Sequence, residues 1–206
     1  MKRLAILLLF IGLASLAKAQ APLTLGVSYW GEFAFHPGLK ISMDFQPLGK
    51  IKFKDHKKKD LQKIRSHVLF TTPHLGYFVH PGNHQALTIG ADIGYRLFVG
   101  RNKAQSYKTA KGFVFEVFAN LDYMLQINSA ATYTLDADGN VMPVAGLRSY
   151  FLVGSSLGFG YRFGKPNMTI LARPNLSWQM PYDAIVLPRA FMELAVLFPL
   201  TNKNSN

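Results

Sequence analysis

The sequence contains no cysteine among its 206 residues. Disulfides and thiolate metal centres are therefore excluded, although small exported domains commonly depend on such cross-links. Acidic residues are also scarce, since 11 Asp and Glu stand against 23 Lys and Arg. After the first twenty residues there is no apolar run of about 18 residues, the length that a spanning helix needs. We expect one domain, with a core that is stable without disulfide cross-links.

The first nineteen residues have the pattern of a secretory signal peptide. Lys2 and Arg3 provide a positive start, residues 4–16 are apolar, and Ala17-Lys18-Ala19 provides a small-x-small cleavage site. We therefore expect residues 1–19 to be removed and residues 20–206 to form the mature domain.

The net charge of +12 is concentrated in two short segments. They contain Lys50, Lys52, Lys54, Lys57, Lys58, Lys59, Lys63 and Arg65, and then Arg101, Lys103, Lys108 and Lys111. A basic exported protein can meet anionic lipid headgroups or lipopolysaccharide phosphates, whereas export argues against nucleic acid as a partner. Our candidate residues for anionic lipid are Lys57, Lys58, Lys59, Lys63 and Arg65. The alternative is a solvated charge run that only keeps a loop soluble.

Strict alternation of apolar and other residues predicts β-strands. It is clearest in residues 87–99, 113–126 and 151–163, and weaker in 23–35, 38–54, 67–80, 169–180 and 189–198. Eight such strands suit a closed antiparallel barrel, which has an even number of strands. Residues 127–149 additionally predict a short hairpin around Asp138-Gly139-Asn140.

The composition of the two faces favours a membrane barrel over a soluble one. One face is apolar and carries many aromatic residues, as the lipid-facing side of a membrane barrel does. The other face holds many glycines and charges of both signs, which predicts a lumen filled by ion pairs. The candidate lumen charges are Glu32, Lys40, Asp44, Asp92, Arg96, Glu116, Asp122, Arg162, Arg173, Arg189 and Glu193.

With these features, and with stretches such as "FVFEVFANLDYMLQI" and "YFLVGSSLGFGYRFG", the chain resembles the small eight-stranded outer-membrane β-barrel proteins of Gram-negative bacteria. The resemblance covers nearly the whole mature chain and is one of pattern. It implies insertion by the outer-membrane assembly machinery, a monomeric barrel, and loops that carry the function. One departure is that the chain continues for eight residues beyond Phe198, where members of this class commonly end in an aromatic residue.

The tripeptide His-Pro-Gly occurs twice, at residues 36–38 and 80–82. Pro and Gly suit the two central positions of a type II turn, so we expect two equivalent turns at one rim. His36, His80 and His84 then become rim histidines. A metal site is the alternative, but a turn does not hold His80 and His84 on one face as a helix would. We expect turn residues, no metal and no cofactor.

The predicted function is that of a non-enzymatic outer-membrane barrel with a structural, surface-interaction or lipid-interaction role. A lipid A-modifying barrel enzyme would need a serine, a histidine and a carboxylate in one site, and no spacing in the sequence forces such a set together. We therefore name no catalytic residue. A narrow channel is the second alternative, although the interior of an eight-stranded barrel is about filled by side chains.

Overall fold

The computed structural model describes residues 23–32, 36–55, 62–102, 109–128, 133–135, 138–143, 146–164, 167–181 and 186–200. The expected signal peptide (residues 1–19) and the candidate lipid-binding residues Lys57, Lys58 and Lys59 lie outside these described residues. Within the described ranges, no helix is long and apolar enough to cross a membrane.

The described residues form ten strands: β1 Leu23–Glu32, β2 Gly38–Asp55, β3 Gln62–His80, β4 His84–Asn102, β5 Lys111–Asn128, β6 Tyr133–Leu135, β7 Val141–Pro143, β8 Leu147–Arg162, β9 Thr169–Met180 and β10 Leu187–Leu200. Eight of them close into an antiparallel barrel in the order β1-β10-β9-β8-β5-β4-β3-β2. The predicted eight-stranded barrel is therefore confirmed. β6 and β7 form the predicted extra hairpin, and Gly139 in its turn has a φ of 82°.

The outside of the barrel is apolar, as the alternation predicted. On β5, for example, Phe113, Val117 and Leu121 are each more than half exposed, while Val114 and Phe118 on the other face are buried. Large aromatic residues lie near both ends of the wall, with Tyr123 ten positions from Phe113 on the same strand. At about 3.3 Å per residue and a tilt of about 40°, ten positions span about 25 Å, the height of the apolar band of a membrane barrel.

An irregularity in β2 changes which residues face outward. The register with β3 shifts between Phe45 and Leu48, so one extra residue is accommodated around Pro47, which has no N–H to donate. Ile51 and Phe53 then pair with Ser66 and Ile64, which face the interior. β2 continues through this segment, as predicted for residues 38–54, but beyond the shift Ile51 no longer faces outward as Ile41 does. A one-residue shift moves every later side chain to the other face.

The two His-Pro-Gly copies have different structures. Asn83 N–H donates to the carbonyl of His80 at 3.0 Å and Gly82 has a φ of 75°, so the second copy is the predicted type II turn. In the first copy, Gly38 is the first residue of β2 and is not among the glycines with positive φ. Glycine is needed at position 38 because a Cβ there would collide with the carbonyl oxygen of Trp30. The predicted equivalence of the two turns is wrong.

The lumen is filled in layers along the barrel axis. Next to the rim of the His-Pro-Gly segments lies an aromatic layer in which Trp30 stacks on Phe191 at 4.9 Å and meets Phe78 edge-on at 5.2 Å between ring centroids. A charged layer occupies the middle of the barrel. An apolar layer that includes Ile64 and Leu197 fills the other end. Polar groups in the middle are therefore shielded from water on both sides.

Candidate functional sites

A chain of ion pairs crosses the middle of the lumen. Arg96 on β4 contacts Asp44 and Glu116, each at 2.5 Å. Arg173 on β9 contacts Glu116 at 2.8 Å and Glu193 at 3.0 Å. All five side chains are buried, and each guanidinium joins two carboxylates. Because a buried carboxylate without a cation would cost several kcal/mol, roughly, the paired arrangement is what makes these charges tolerable in the interior.

The chain continues from Glu193 through Lys40 to the other side of the barrel. Lys40 forms a short ion pair with Glu193 and lies 3.8 Å from Asp92. His74 lies 3.6 Å from Asp92 and 2.5 Å from Asp122. A small polar cavity borders Lys40, His74 and Asp122. Side chains of β2, β3, β4, β5, β9 and β10 therefore meet in one network.

Small inward residues on the intervening strands allow two of these contacts. Glu116 on β5 reaches Arg173 on β9 across β8, where a Cβ at Gly158 would press against the Glu116 side chain. Glu193 on β10 reaches Lys40 on β2 across β1, where Ser28 donates to it at 2.8 Å. A glycine and a serine thus take the positions where larger side chains would separate the partners.

Three of the eleven candidate lumen charges lie at the rims. Arg162 lies half-buried at the end of β8, where Nε donates to Asn167 at 2.9 Å and the guanidinium is 5.5 Å from the Phe98 ring centre. Glu32 lies at the opposite rim and accepts from Arg189 at 3.2 Å. The other eight make up the chain through the middle, which His74 joins.

The rim of the His-Pro-Gly segments brings the three rim histidines together with Glu32. The rings of His36 and His80 stack at 3.6 Å between centroids, and His84 lies 5.1 Å from His80. Nδ1 of His36 and Nδ1 of His80 are each 3.7 Å from the Glu32 Oε2 atom, which Arg189 also contacts. Sequence reasoning placed the histidines at one rim but gave no reason to join Glu32 and Arg189 to them.

Several nitrogens of this rim histidine cluster are buried without a hydrogen-bond partner. Among the described residues they include Nδ1 of His36, Nδ1 of His80 and both ring nitrogens of His84. His84 is the first residue of β4 and pairs with Asn128, five positions toward the rim from the level of Tyr123, so it lies outside the apolar band between Phe113 and Tyr123. Burial, with the neighbouring charges of Arg189, His80 and His36, lowers the pKa of His84 to about 4. Its imidazole is therefore neutral near neutral pH.

A third feature is a row of cations on the outer wall at the other end of the barrel. Lys54 pairs with Lys63, Lys63 with Arg101, and Arg101 with Lys111, so four neighbouring strands carry a cation at the same level. Lys52 lies opposite Arg65 beside this row. All six are exposed, and among the described residues no carboxylate forms an ion pair with any of them. We call these six residues the basic collar.

The described histidines do not form the set that acyl transfer or deacylation needs. His74 contacts two carboxylates and the carbonyl of Thr72, and His67 on the outer wall forms a short hydrogen bond with Tyr95. None of the five described histidines bonds a serine hydroxyl, and Ser28 donates to a carboxylate. In the described part of the chain, the geometry offers no activated serine.

Comparison with known proteins assigns no family and no activity to this chain. No protein-family model matches the chain, and no curated protein matches it. Among solved structures, the chain is similar to the crystal structure of the outer membrane enzyme PagL, with 10% sequence identity and a TM-score of 0.39 over 87% of this chain and 100% of that chain. At this distance neither residue roles nor an activity transfers to this chain.

Proposed function

We propose that this chain is a non-enzymatic outer-membrane barrel with a closed lumen, and that it binds anionic lipid headgroups through the basic collar. The basic collar is the observation that carries the proposal. Export by the signal peptide of residues 1–19, insertion by the outer-membrane assembly machinery and a monomeric state belong to the same proposal.

The position of the collar supports contact with headgroups. Arg101 and Lys111 lie two residues from Val99 and Phe113, at the edge of the apolar outer wall. Anionic lipid attracts Lys and Arg near a membrane surface by about 1 kcal/mol per residue. Like charges directly opposite each other on neighbouring strands are destabilising, and a phosphate between them removes that cost. Phospholipid and lipopolysaccharide share this phosphate chemistry.

Lipid retention tests the collar. The full chain is reconstituted in phosphatidylcholine vesicles, alone, with phosphatidylglycerol or with lipopolysaccharide, then extracted in mild detergent, and the bound lipid is measured by mass spectrometry. We expect anionic lipid to be retained, and Lys63→Gln to retain less. Arg148→Gln, which removes one positive charge at the opposite rim, is the matched control. Equal retention by both variants contradicts the proposal, and the added lipid that is retained identifies the source of the phosphate.

The closed lumen is tested separately by conductance. The ion-pair chain and the aromatic layer fill the described interior around a small polar cavity, so we expect no single-channel steps in planar bilayers. Regular conductance steps that change their ion selectivity in Arg96→Gln would favour the narrow channel instead.

Location and chemistry have their own tests. The protein should fractionate with outer membranes and change its gel mobility on boiling, whereas recovery as a soluble periplasmic protein contradicts the proposal. Overproduction should leave the lipid A mass profile unchanged. A shift by one acyl chain would support the lipid A-modifying alternative.

A further inference from the structure

We propose that Glu32, His80 and His84 form a binding site for a divalent transition-metal ion, of which Zn²⁺ is the representative, at the rim of the barrel. The site is independent of the basic collar and lies at the opposite end. It departs from the expectation from the sequence that the rim histidines only mark turns.

The donor atoms are already close to one another. Glu32, His80 and His84 each offer one ligand atom, and these three atoms lie within 4.8 Å of one another. A tetrahedral zinc ion with Zn–N distances of about 2.0–2.1 Å holds its ligand atoms about 3.4 Å apart. Side-chain rotations that move the ligand atoms by about 1 Å therefore suffice to bring them to coordination distances.

Two further observations point to a missing ligand. His84 is 3% exposed, yet neither of its ring nitrogens has a hydrogen-bond partner, and Nδ1 of His80 lacks one as well. Buried polar groups in proteins are normally paired, so unpaired ones need an explanation. The aromatic layer of Trp30, Phe78 and Phe191 separates these nitrogens from the charges in the middle of the lumen. A metal ion provides the partner that no described side chain provides.

The donor set selects the class of metal. Two imidazoles and one carboxylate are a known three-ligand set for zinc, with the fourth position left for water or another ligand. Imidazole suits zinc, copper and nickel, whereas calcium and magnesium prefer oxygen ligands. Magnesium at equal concentration should therefore not compete.

The neighbouring residues act as support. Arg189 contacts Glu32 at 3.2 Å, and a ligating carboxylate is commonly held by a second hydrogen bond of this kind. His36 stacks on His80 and restricts its ring. The turn at Pro81-Gly82 fixes the short path between His80 and His84. The site is thus held by β1, β3, β4 and β10, all of them strands of the barrel wall.

Metal titration of the whole barrel tests the proposal. Untagged protein is folded in detergent, stripped with a chelator and titrated with Zn²⁺ by calorimetry, and the thermal unfolding midpoint is followed in parallel. We expect one ion per chain and a higher midpoint with the ion. Glu32→Gln and His84→Ala should each weaken binding by at least about 100-fold, while His36→Ala should weaken it about 10-fold.

His67→Ala is the matched control, because His67 lies on the outer wall at the other end of the barrel. It should bind Zn²⁺ as the wild type does. Each variant must first show the gel mobility shift of a folded barrel, and Glu32→Gln provides a nearly isosteric change if His84→Ala does not fold. The proposal is overturned if the wild type binds no ion, if Glu32→Gln binds as tightly as the wild type, or if His67→Ala loses the ion equally.

Discussion

The middle of the lumen and the rim histidine cluster both bury ionisable groups, but they balance them in opposite ways. In the middle, each of Lys40, Arg96 and Arg173 contacts two carboxylates. At the rim, one oxygen of Glu32 is shared by a guanidinium and two imidazoles. Every carboxylate of the middle network thus has a basic partner, whereas the rim has basic nitrogens in excess of acceptors. The arrangement in the middle fills and closes the lumen. The arrangement at the rim leaves basic nitrogens that are suited to bind a metal ion from outside.

The largest effect should come from breaking the middle of the barrel. Arg173→Met leaves Glu116 and Glu193 each with one cation fewer, and we expect it to lower the free energy of unfolding by about 3–5 kcal/mol. Urea titration in detergent micelles, followed by tryptophan fluorescence, measures the change. Arg162→Met, at the rim opposite the histidines, is the control and should lower the free energy of unfolding by about 1 kcal/mol. An equal cost for both would show that the ion-pair chain contributes nothing special.

The same substitution, Glu to Gln, at Glu193 in the middle and at Glu32 at the rim compares the two regions directly. Glu193 accepts from Ser28, Lys40 and Arg173, whereas Glu32 has one close donor, Arg189. We expect Glu193→Gln to cost about 2–3 kcal/mol and Glu32→Gln about 1 kcal/mol, measured by the same urea titration in the presence of a chelator. A larger cost at Glu32 would reverse the comparison.

The turn between His80 and His84 positions the rim histidines, and a substitution at Gly82 can strain it without changing any side chain in the lumen. Gly82 has a φ of 75° and open space where a Cβ would be, so only backbone strain opposes a side chain there. We expect Gly82→Ala to cost about 1–2 kcal/mol. Gly139→Ala in the β6–β7 hairpin is the control, since that glycine has a similar φ of 82° but lies outside the barrel wall. Its cost to barrel stability should be smaller.

The smallest effect concerns pH. The pKa of His84 is about 4 in the folded chain and about 6.5 when unfolded, so between these values the unfolded state binds more protons and stability falls as the pH falls. His84→Gln removes this contribution. Below pH 6.5 the variant should gain stability relative to the wild type, by on the order of 1 kcal/mol at about pH 6. Parallel urea titrations at about pH 7 and about pH 6, with a chelator present, measure the difference in unfolding free energy between variant and wild type, and a difference that is the same at both pH values would contradict the prediction.

Most of the fold could be predicted from the sequence because alternation reports directly on which face a residue occupies. On β5 the period of two runs unbroken from Gly112 to Met124, and buried and exposed residues alternate accordingly. The same reasoning fails at β2, where one extra residue around Pro47 shifts the register. Alternation gives no warning of a bulge, because the pattern on each side of it stays regular.

The candidate sites were predictable only as sets of residues. The sequence places Glu116 and Arg173 on inward faces, but their contact across β8 depends on the space left at Gly158. Likewise, Lys54, Lys63, Arg101 and Lys111 lie in three separate sequence segments, and only the registers of β2 to β5 align them in one row. Partner choice is a property of strand register, which a single sequence does not determine.

The contacts of Glu193 with Ser28 and Lys40 have a consequence for how the barrel assembles. Ser28 and Glu193 are 165 residues apart in the chain, and they meet only when β10 pairs with β1. Until that pairing forms, Lys40 on β2 and Glu193 on β10 lie near opposite edges of an open sheet, each without the other. Closing the β1–β10 seam and pairing Lys40 with Glu193 are thus one event. It joins residues that lie far apart in the chain, and contacts of that kind are slow to form.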